Sequence, residues 1–412
     1  MTAATTDAGD AIKRRSIAFI NWAHALDHYV ILIYPTVVIG LGVIYQMSYA
    51  KLIAIGTPSF IAFGLFSLPA GWLADRWSRR NMMALFYAGC GLSLLAAGLA
   101  PNLVALAVAL FALGMFASIY PPVGTAMLIA QATSRGRSLA FNGVCGNFGV
   151  ALAAGITALL IYAFGWRGAF LVPALVCIVT AVVYLWLVPD DRQTAGARSS
   201  APDVAFAPWL AVTIFGLFMI IALSAGLVFH ITTVALPKIV DERLGADISL
   251  ILVGGLATAI FMCGAVAQLT VGRLVDRVPL YLLFAAVALL QFVGVAWAAY
   301  ATGTMLVMAL ALSLAAIYAQ VTVNDLVIAR YTADAWRGRV YAVRYFLSFA
   351  VSGAAVSIIA LLHERGGFGL VLVATAMLAL ALAIVTIVIT MLVHGVERER
   401  ARDQASAAAP AE

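Results

Sequence analysis

The sequence predicts an all-α integral membrane protein of about twelve transmembrane helices, arranged as two pseudo-symmetric six-helix bundles. Three observations predict it: a scarcity of charge, a succession of long apolar runs, and a repeat that carries the first half of the chain onto the second.

Only 10% of the 412 residues are charged and 64% are hydrophobic, with a mean hydropathy of +1.05. A soluble domain carries roughly 25% charged residues. So few charges cannot clothe a water-facing surface of this length, and most of the exterior must face lipid. The net charge of +6 is dispersed in short basic clusters between apolar runs. That is the pattern of cytoplasmic span ends, not of a nucleic-acid surface. Cys90, Cys145, Cys177 and Cys263 each stand inside an apolar run with no CxxC pair, which argues against a disulfide framework or a thiolate metal site. The opening "AIKRRSIAFINWAHALDHYV" is basic and then apolar. The apolar run is too long, and too interrupted by His24, Asp27 and His28, for a cleaved leader, so it reads as a retained first span.

A helical span needs about 20 apolar residues. Runs of that length fall at about 16–45, 50–73, 81–99, 103–131, 138–164, 167–188, 208–237, 246–272, 280–300, 303–331, 339–363 and 367–393. In lipid only helices and closed barrels satisfy the backbone, and runs this long exclude barrel strands. With the N-terminus inside, seventeen of the 24 basic residues fall on the cytoplasmic side and five on the other. This bias places both termini in the cytoplasm.

Between the sixth and seventh runs lies "PDDRQTAGARSSAPDVAFAP", with the Pro, Ser, Gly and charge content of a linker. The expected division is a six-helix bundle over 1–188, a cytoplasmic linker over 189–207, a second bundle over 208–393 and a tail over 394–412. "GWLADRW" at 71–77 recurs as "GRLVDRV" at 272–278, and "RGRSLAFN" from Arg135 recurs as "RGRVYAVR" from Arg337. The same offset of about 202 carries His28 onto His230 and Pro35 onto Pro237. A tandem duplication of six spans is a transporter signature.

"GWLADRWSRR" closely resembles the loop 2–3 motif of the major facilitator superfamily, commonly G-x-L-x-D-R-x-G-R-[RK]. Gly71, Leu73, Asp75, Arg76, Arg79 and Arg80 match, and Ser78 replaces the second glycine. With the half-repeat at Gly272, Asp276 and Arg277, the resemblance covers essentially the whole chain. It implies the major facilitator fold, a cavity opening alternately to either side, and a gating role for this loop. Asp75 is expected near the start of the eleventh span, latching the cytoplasmic side shut, since a helix N-terminus favours a carboxylate. "IYPPVGTAML" and "FNGVCGNFGVALAAG" are similar to spans four and five of bacterial fosmidomycin-resistance-type carriers. The drug–proton antiporter motif of span five is degraded: Gly149 fits its start, but Ala153, Ala154, Thr157 and Ala158 replace Gly, Pro, Gly and Gly.

Ionisable groups within spans are costly and therefore functional candidates. His24, Asp27 and His28 sit at i, i+3 and i+4 on one helix face, with Asp27 and His28 roughly 18–20 Å from the basic edge, near the midplane. His230, the repeat mate of His28, is expected opposite it across the cavity. Asp27, His28, His230 and Asp325 are the expected proton-coupling or substrate groups. Asn324, Gln320 and Asp325 lie inside the tenth run. Arg344, two turns inside the eleventh, is a candidate to bind an anionic group bidentately, with Asp325 as its partner when the site is empty. Tyr341, Tyr345, Ser348 and Ser352 form a polar stripe beside it. Asn147 and Tyr120 complete the set, with Trp22, Tyr34 and Phe148 as further shaping aromatics. A sharper alternative groups His24, Asp27, His28 and His230 as nitrogen and oxygen ligands for a divalent transition metal. The bland readings are core hydrogen bonding for the His–Asp cluster and snorkelling for Arg344.

There is no nucleophile elbow, Walker loop or HExxH, so neither catalysis nor a cofactor is expected, and no resident metal. The expected function is secondary active transport of a small organic anion or polar metabolite, driven by protons, by a monomer in a bacterial inner membrane. Drug efflux is the alternative, followed by a transition-metal carrier or a non-transporting membrane receptor.

Overall fold

The computed structural model describes residues 3–132, 135–189, 208–245, 248–275, 277–331 and 334–407. Side chains are described within these from Ala11, except at 135–136, 208–212, 214, 329–345, 349 and 396–407. The expected linker therefore lies, from residue 190 on, outside the described residues, as does Asp276.

All regular structure among the described residues is helical, and ten helices are long and apolar enough to cross a bilayer. Two of them, Arg137–Leu187 and Phe346–Gly395, run to 51 and 50 residues. That is roughly 75 Å of helix, more than twice what a hydrocarbon core requires. Each breaks midway at glycine: Gly165 has φ 71°, and Gly366–Gly367 combine an extended residue with φ 60°. Left-handed backbone of this kind is open to glycine at little cost. The ten helices thus make twelve crossings, divided where the apolar runs divide. They are span 1 (Ala11–Tyr45), span 2 (Tyr49–Arg76), span 3 (Arg79–Gly98), span 4 (Leu103–Gln131), spans 5 and 6 (137–164 and 166–187), span 7 (Phe215–Arg243), span 8 (Leu250–Leu274), span 9 (Leu280–Tyr300), span 10 (Gly303–Ile328), and spans 11 and 12 (346–365 and 368–395).

Local sequence explains the ends and kinks. Spans 3, 4 and 8 start behind Ser78, Asn102 and Ser249, whose side chains accept from the N–H three residues on, satisfying a donor the helix cannot. Span 1 is interrupted at Leu32, just ahead of Pro35, and span 4 at Ser118–Ile119, ahead of Pro121 and Pro122. A proline ring collides with the carbonyl four residues back.

The halves meet along two seams. Span 5 lies on span 8, where the Gly155 N–H donates to Thr258 Oγ1. Span 2 lies on span 11, where Ser352 Oγ donates to the Phe60 carbonyl and Gly353 abuts Ile61. Residues 32–38 of span 1 and 231–237 of span 7 are buried on every side. Beyond them Tyr49 of the first half packs edge-on against His363 at 4.9 Å and against Phe368 at 5.6 Å. His363 is held by Glu242 of span 7 at 3.0 Å. One apolar core joins both halves at this outer end. At the opposite, basic end the second half has a separate core built on Phe218, Phe284, Val323 and Leu382. The bundles are therefore fused at the outer end and part towards the basic end.

Candidate functional site

A polar layer lies midway along the spans, just below the sealed outer end. On span 1 the partly exposed positions Asn21, His24 and His28 recur at i, i+3 and i+7, between the buried Ala23, Leu26 and Asp27. These polar positions therefore share one stripe of the helix.

His24 is clamped from three sides. Its Nδ1 lies 2.7 Å from the Asn142 carbonyl of span 5, its ring stacks on Tyr120 at 4.9 Å, and Gly146 presses on the ring so closely that a Cβ there would come within 2.6 Å of Nε2. Asn142 is the hub. Its side chain accepts from Tyr120 OH at 3.0 Å and donates to Asn21 Oδ1 at 2.9 Å. Spans 1, 4 and 5 are thus tied at one residue. The approach is possible because Gly149 lies directly on the Ala25 backbone, the close helix contact that small residues permit.

His28 lies with its ring tilted against His24 at 5.0 Å and is within electrostatic reach of His230 in the other half. His230 is in turn hydrogen-bonded to the Ser348 main chain of span 11. His28 of the first half and His230 of the second thus lie near one another at the seam. Asp27 does not join them. It is 2% exposed, its Oδ1 has no hydrogen-bond partner, and its electrostatic neighbours are Cys90 of span 3 and Tyr120 of span 4. Successive helix residues are turned by about 100°, so Asp27 points into the first bundle while His28 looks out of it.

In the second half Gln320 donates to Asn324 Oδ1 at 3.0 Å, both deeply buried, and the half-buried Asp325 follows on the same helix. Arg344 lies on the helix leading into span 11, but its side chain is outside those described, as are those of Tyr341 and Tyr345. Asn147 donates to Gln268 Oε1 of span 8, bridging the halves. Trp22 is 44% exposed and turned outward to Thr180 of span 6. Phe148 is also largely exposed, and Tyr34 is buried with its hydroxyl on the Leu52 carbonyl. Among the described residues no three His, Cys, Asp or Glu side chains gather in metal-binding geometry.

The loop motif divides its labour. Gly71 packs on Pro122 of span 4. Asp75 pairs with Arg79 at 2.8 Å within its own loop and is two-thirds exposed. The expected latch onto span 11 is not among the contacts described. Arg76 lies over the Trp72 ring at 4.0 Å. Arg80 donates to the Val188 and Leu185 carbonyls at 2.9 and 2.6 Å, capping the end of span 6. Gly272 has open space around it and Arg277 is exposed.

Asn21, Gln268 and the Tyr49–His363–Glu242 contact had no signal in the sequence beyond polarity in or beside a span. Their partners are far away along the chain.

Twelve crossings in two related halves, joined at one end beside a polar layer, define a polytopic membrane protein. Residues 17–357 match the model of the Major Facilitator Superfamily, and the chain belongs to that family. Solved structures agree on the fold. A bacterial homologue of the human lysosomal transporter Spinster, in an inward-facing and occupied conformation, superposes with a TM-score of 0.75 at 13% identity, covering 91% of this chain and 96% of that one. The unoccupied form gives 0.69 at 14% identity, covering 92% and 97%. Similar sequences include a puromycin resistance protein of Streptomyces alboniger (31% identical, 33% of this chain and 28% of that one). A gallate transporter of Pseudomonas putida (26%; 48% and 46%) and a 4-hydroxybenzoate transporter of Pseudomonas aeruginosa (30%; 33% and 31%) are also similar. The chain thus matches less than half the length of each of these relatives.

Proposed function

We propose that this protein is a secondary active transporter that carries a small organic anion by alternating access, coupled to protons. The observation that carries the reading is the polar layer: groups from both halves, with His28 and His230 across the seam, enclosed midway along the spans below a sealed end. Substrate sites of such carriers lie at that depth between repeats. Two of the three relatives are named as transporters of aromatic acids, which supports an anionic cargo. His28, His230 and Asp325 are the groups assigned to proton and substrate exchange, and Arg344 to the acid group. Asp27 is assigned to the proton alone, since it faces the bundle interior. The basic-residue bias sets both termini in the cytoplasm of a bacterial inner membrane, so the sealed end is periplasmic. The bundles over 1–188 and 208–393 are assigned as the rocking bodies, with the monomer as the working unit.

A second reading, efflux of a drug-like compound, is favoured by the puromycin resistance relative. Thermal unfolding of the purified protein against panels of organic anions, lipophilic cations and divalent metals separates the readings. Anions alone are expected to raise the midpoint, and Arg344→Gln to lose the shift. Stabilisation by lipophilic cations but not anions would move the assignment to drug efflux, and stabilisation by metals alone to a metal carrier.

A further inference from the structure

We propose that His24 is a specificity-determining residue that reads a hydroxyl donor on the transported acid, a refinement that rests on the organic-anion reading above. One ring nitrogen of His24 is fixed. A backbone carbonyl can only accept, so the 2.7 Å contact with the Asn142 carbonyl requires the proton on Nδ1. The neutral ring then carries a bare lone pair at Nε2. Nothing in the clamp allows the ring to turn over. Tyr120 covers it at 4.9 Å, Gly146 presses on it, and Asn142 is itself pinned by Tyr120 OH and Asn21. The hydrogen bonds of His24 run to the main chain and side chain of Asn142, and among the described residues no other partner reaches Nε2. The side chain is partly exposed on the same stripe of span 1 as His28.

The result is an acceptor of fixed direction, one helical turn below the His28–His230 pair. A solute group that donates, a hydroxyl, satisfies it. A hydrogen at that position leaves the nitrogen unpaired, and an ether oxygen sets two lone pairs against each other. Sites built to bond a hydroxyl reject analogues that lack it, because the buried polar group is then orphaned. The preferred cargo is therefore an organic acid with a hydroxyl set apart from its carboxylate.

Equilibrium binding to the detergent-purified full chain tests this with four probes: 3-hydroxybenzoate, 4-hydroxybenzoate, 4-methoxybenzoate and benzoate. At least one hydroxy acid is expected to bind about tenfold tighter than benzoate, the size of one buried hydrogen bond, with the methoxy acid no better than benzoate. His24→Asn keeps a donor for the Asn142 carbonyl but supplies nothing at the Nε2 position. It should bring all four affinities within about twofold of one another, mainly by weakening the hydroxy acids. Should that variant fail to fold, Gly146→Ala, which drives a methyl into the ring, should reduce the same preference. Equal binding of all four by the wild type, or a preference that survives in His24→Asn, overturns the assignment of His24 and leaves the anion carrier standing. Binding of none of the four overturns both.

Discussion

The two halves use the same scaffold and opposite small residues. In the first, span 1 offers the bulk, with His24 and Ala25, and span 5 yields with Gly146 and Gly149. Two hundred and two residues on, the exchange is reversed. Gly226 of span 7 stands where His24 stood, and it yields to Ser348 and Val351 of span 11, which occupy the places of Gly146 and Gly149. Packing has been conserved as a fit between two helices, not as a residue at a position. The polar groups diverge likewise: Asn142, hub of the first half, aligns with Arg344 in the second. Duplication thus supplied a symmetric frame whose two inner faces carry different polar groups.

Substitutions in the two halves should disturb the molecule at graded cost. Gly149→Val should have the largest effect. Any Cβ there falls within 2.1 Å of the Ala25 carbonyl, a backbone atom that cannot step aside, and folded protein should be lost on size-exclusion chromatography. Tyr49→Ala comes next. It removes a buried ring from the outer seal at roughly 3 kcal/mol, as large aromatics typically cost. It should also make a cysteine placed at Thr233 reactive to thiol reagents while leaving one at Ala18 unchanged. Gly226→Ala is milder, because its nearest neighbours stand at 3.0 and 3.2 Å. It should lower stability by about 1 kcal/mol, the low end of overpacking, read as a shift of a few degrees in the unfolding midpoint. Asp75→Asn should change stability least, by under about 0.5 kcal/mol, since an exposed ion pair across a loop contributes little. A large loss there would mean that the loop engages the second half after all.

Much of this frame was legible in the chain. Twelve apolar runs, with divisions close to where the two longest helices break, and the repeat that carries His28 onto His230 all follow from length and offset. These are signals summed over many residues. What escaped was pairwise. Nothing local marks Asn21 as a partner of Asn142, Asn147 of Gln268, or Tyr49 as the residue that closes on His363, for each pair is joined only by folding. Asp27 and His28 were read as one face because their spacing from His24 allowed it. A turn of 100° between neighbours was enough to send one into the bundle and the other across the seam. Arg80 was read as part of a gating loop, yet in the structure the open end of a neighbouring helix takes its donors.

The proposed activity is movement of an organic acid through the polar layer between the halves at the expense of a proton gradient. Uptake of radiolabelled 4-hydroxybenzoate into proteoliposomes, with and without an imposed inward proton gradient, measures it. Concentrative uptake is expected only with the gradient, abolished by a protonophore and strongly reduced in His28→Gln. Uptake that ignores the gradient, or that proceeds unchanged in the variant, would rule out proton-coupled transport through this site.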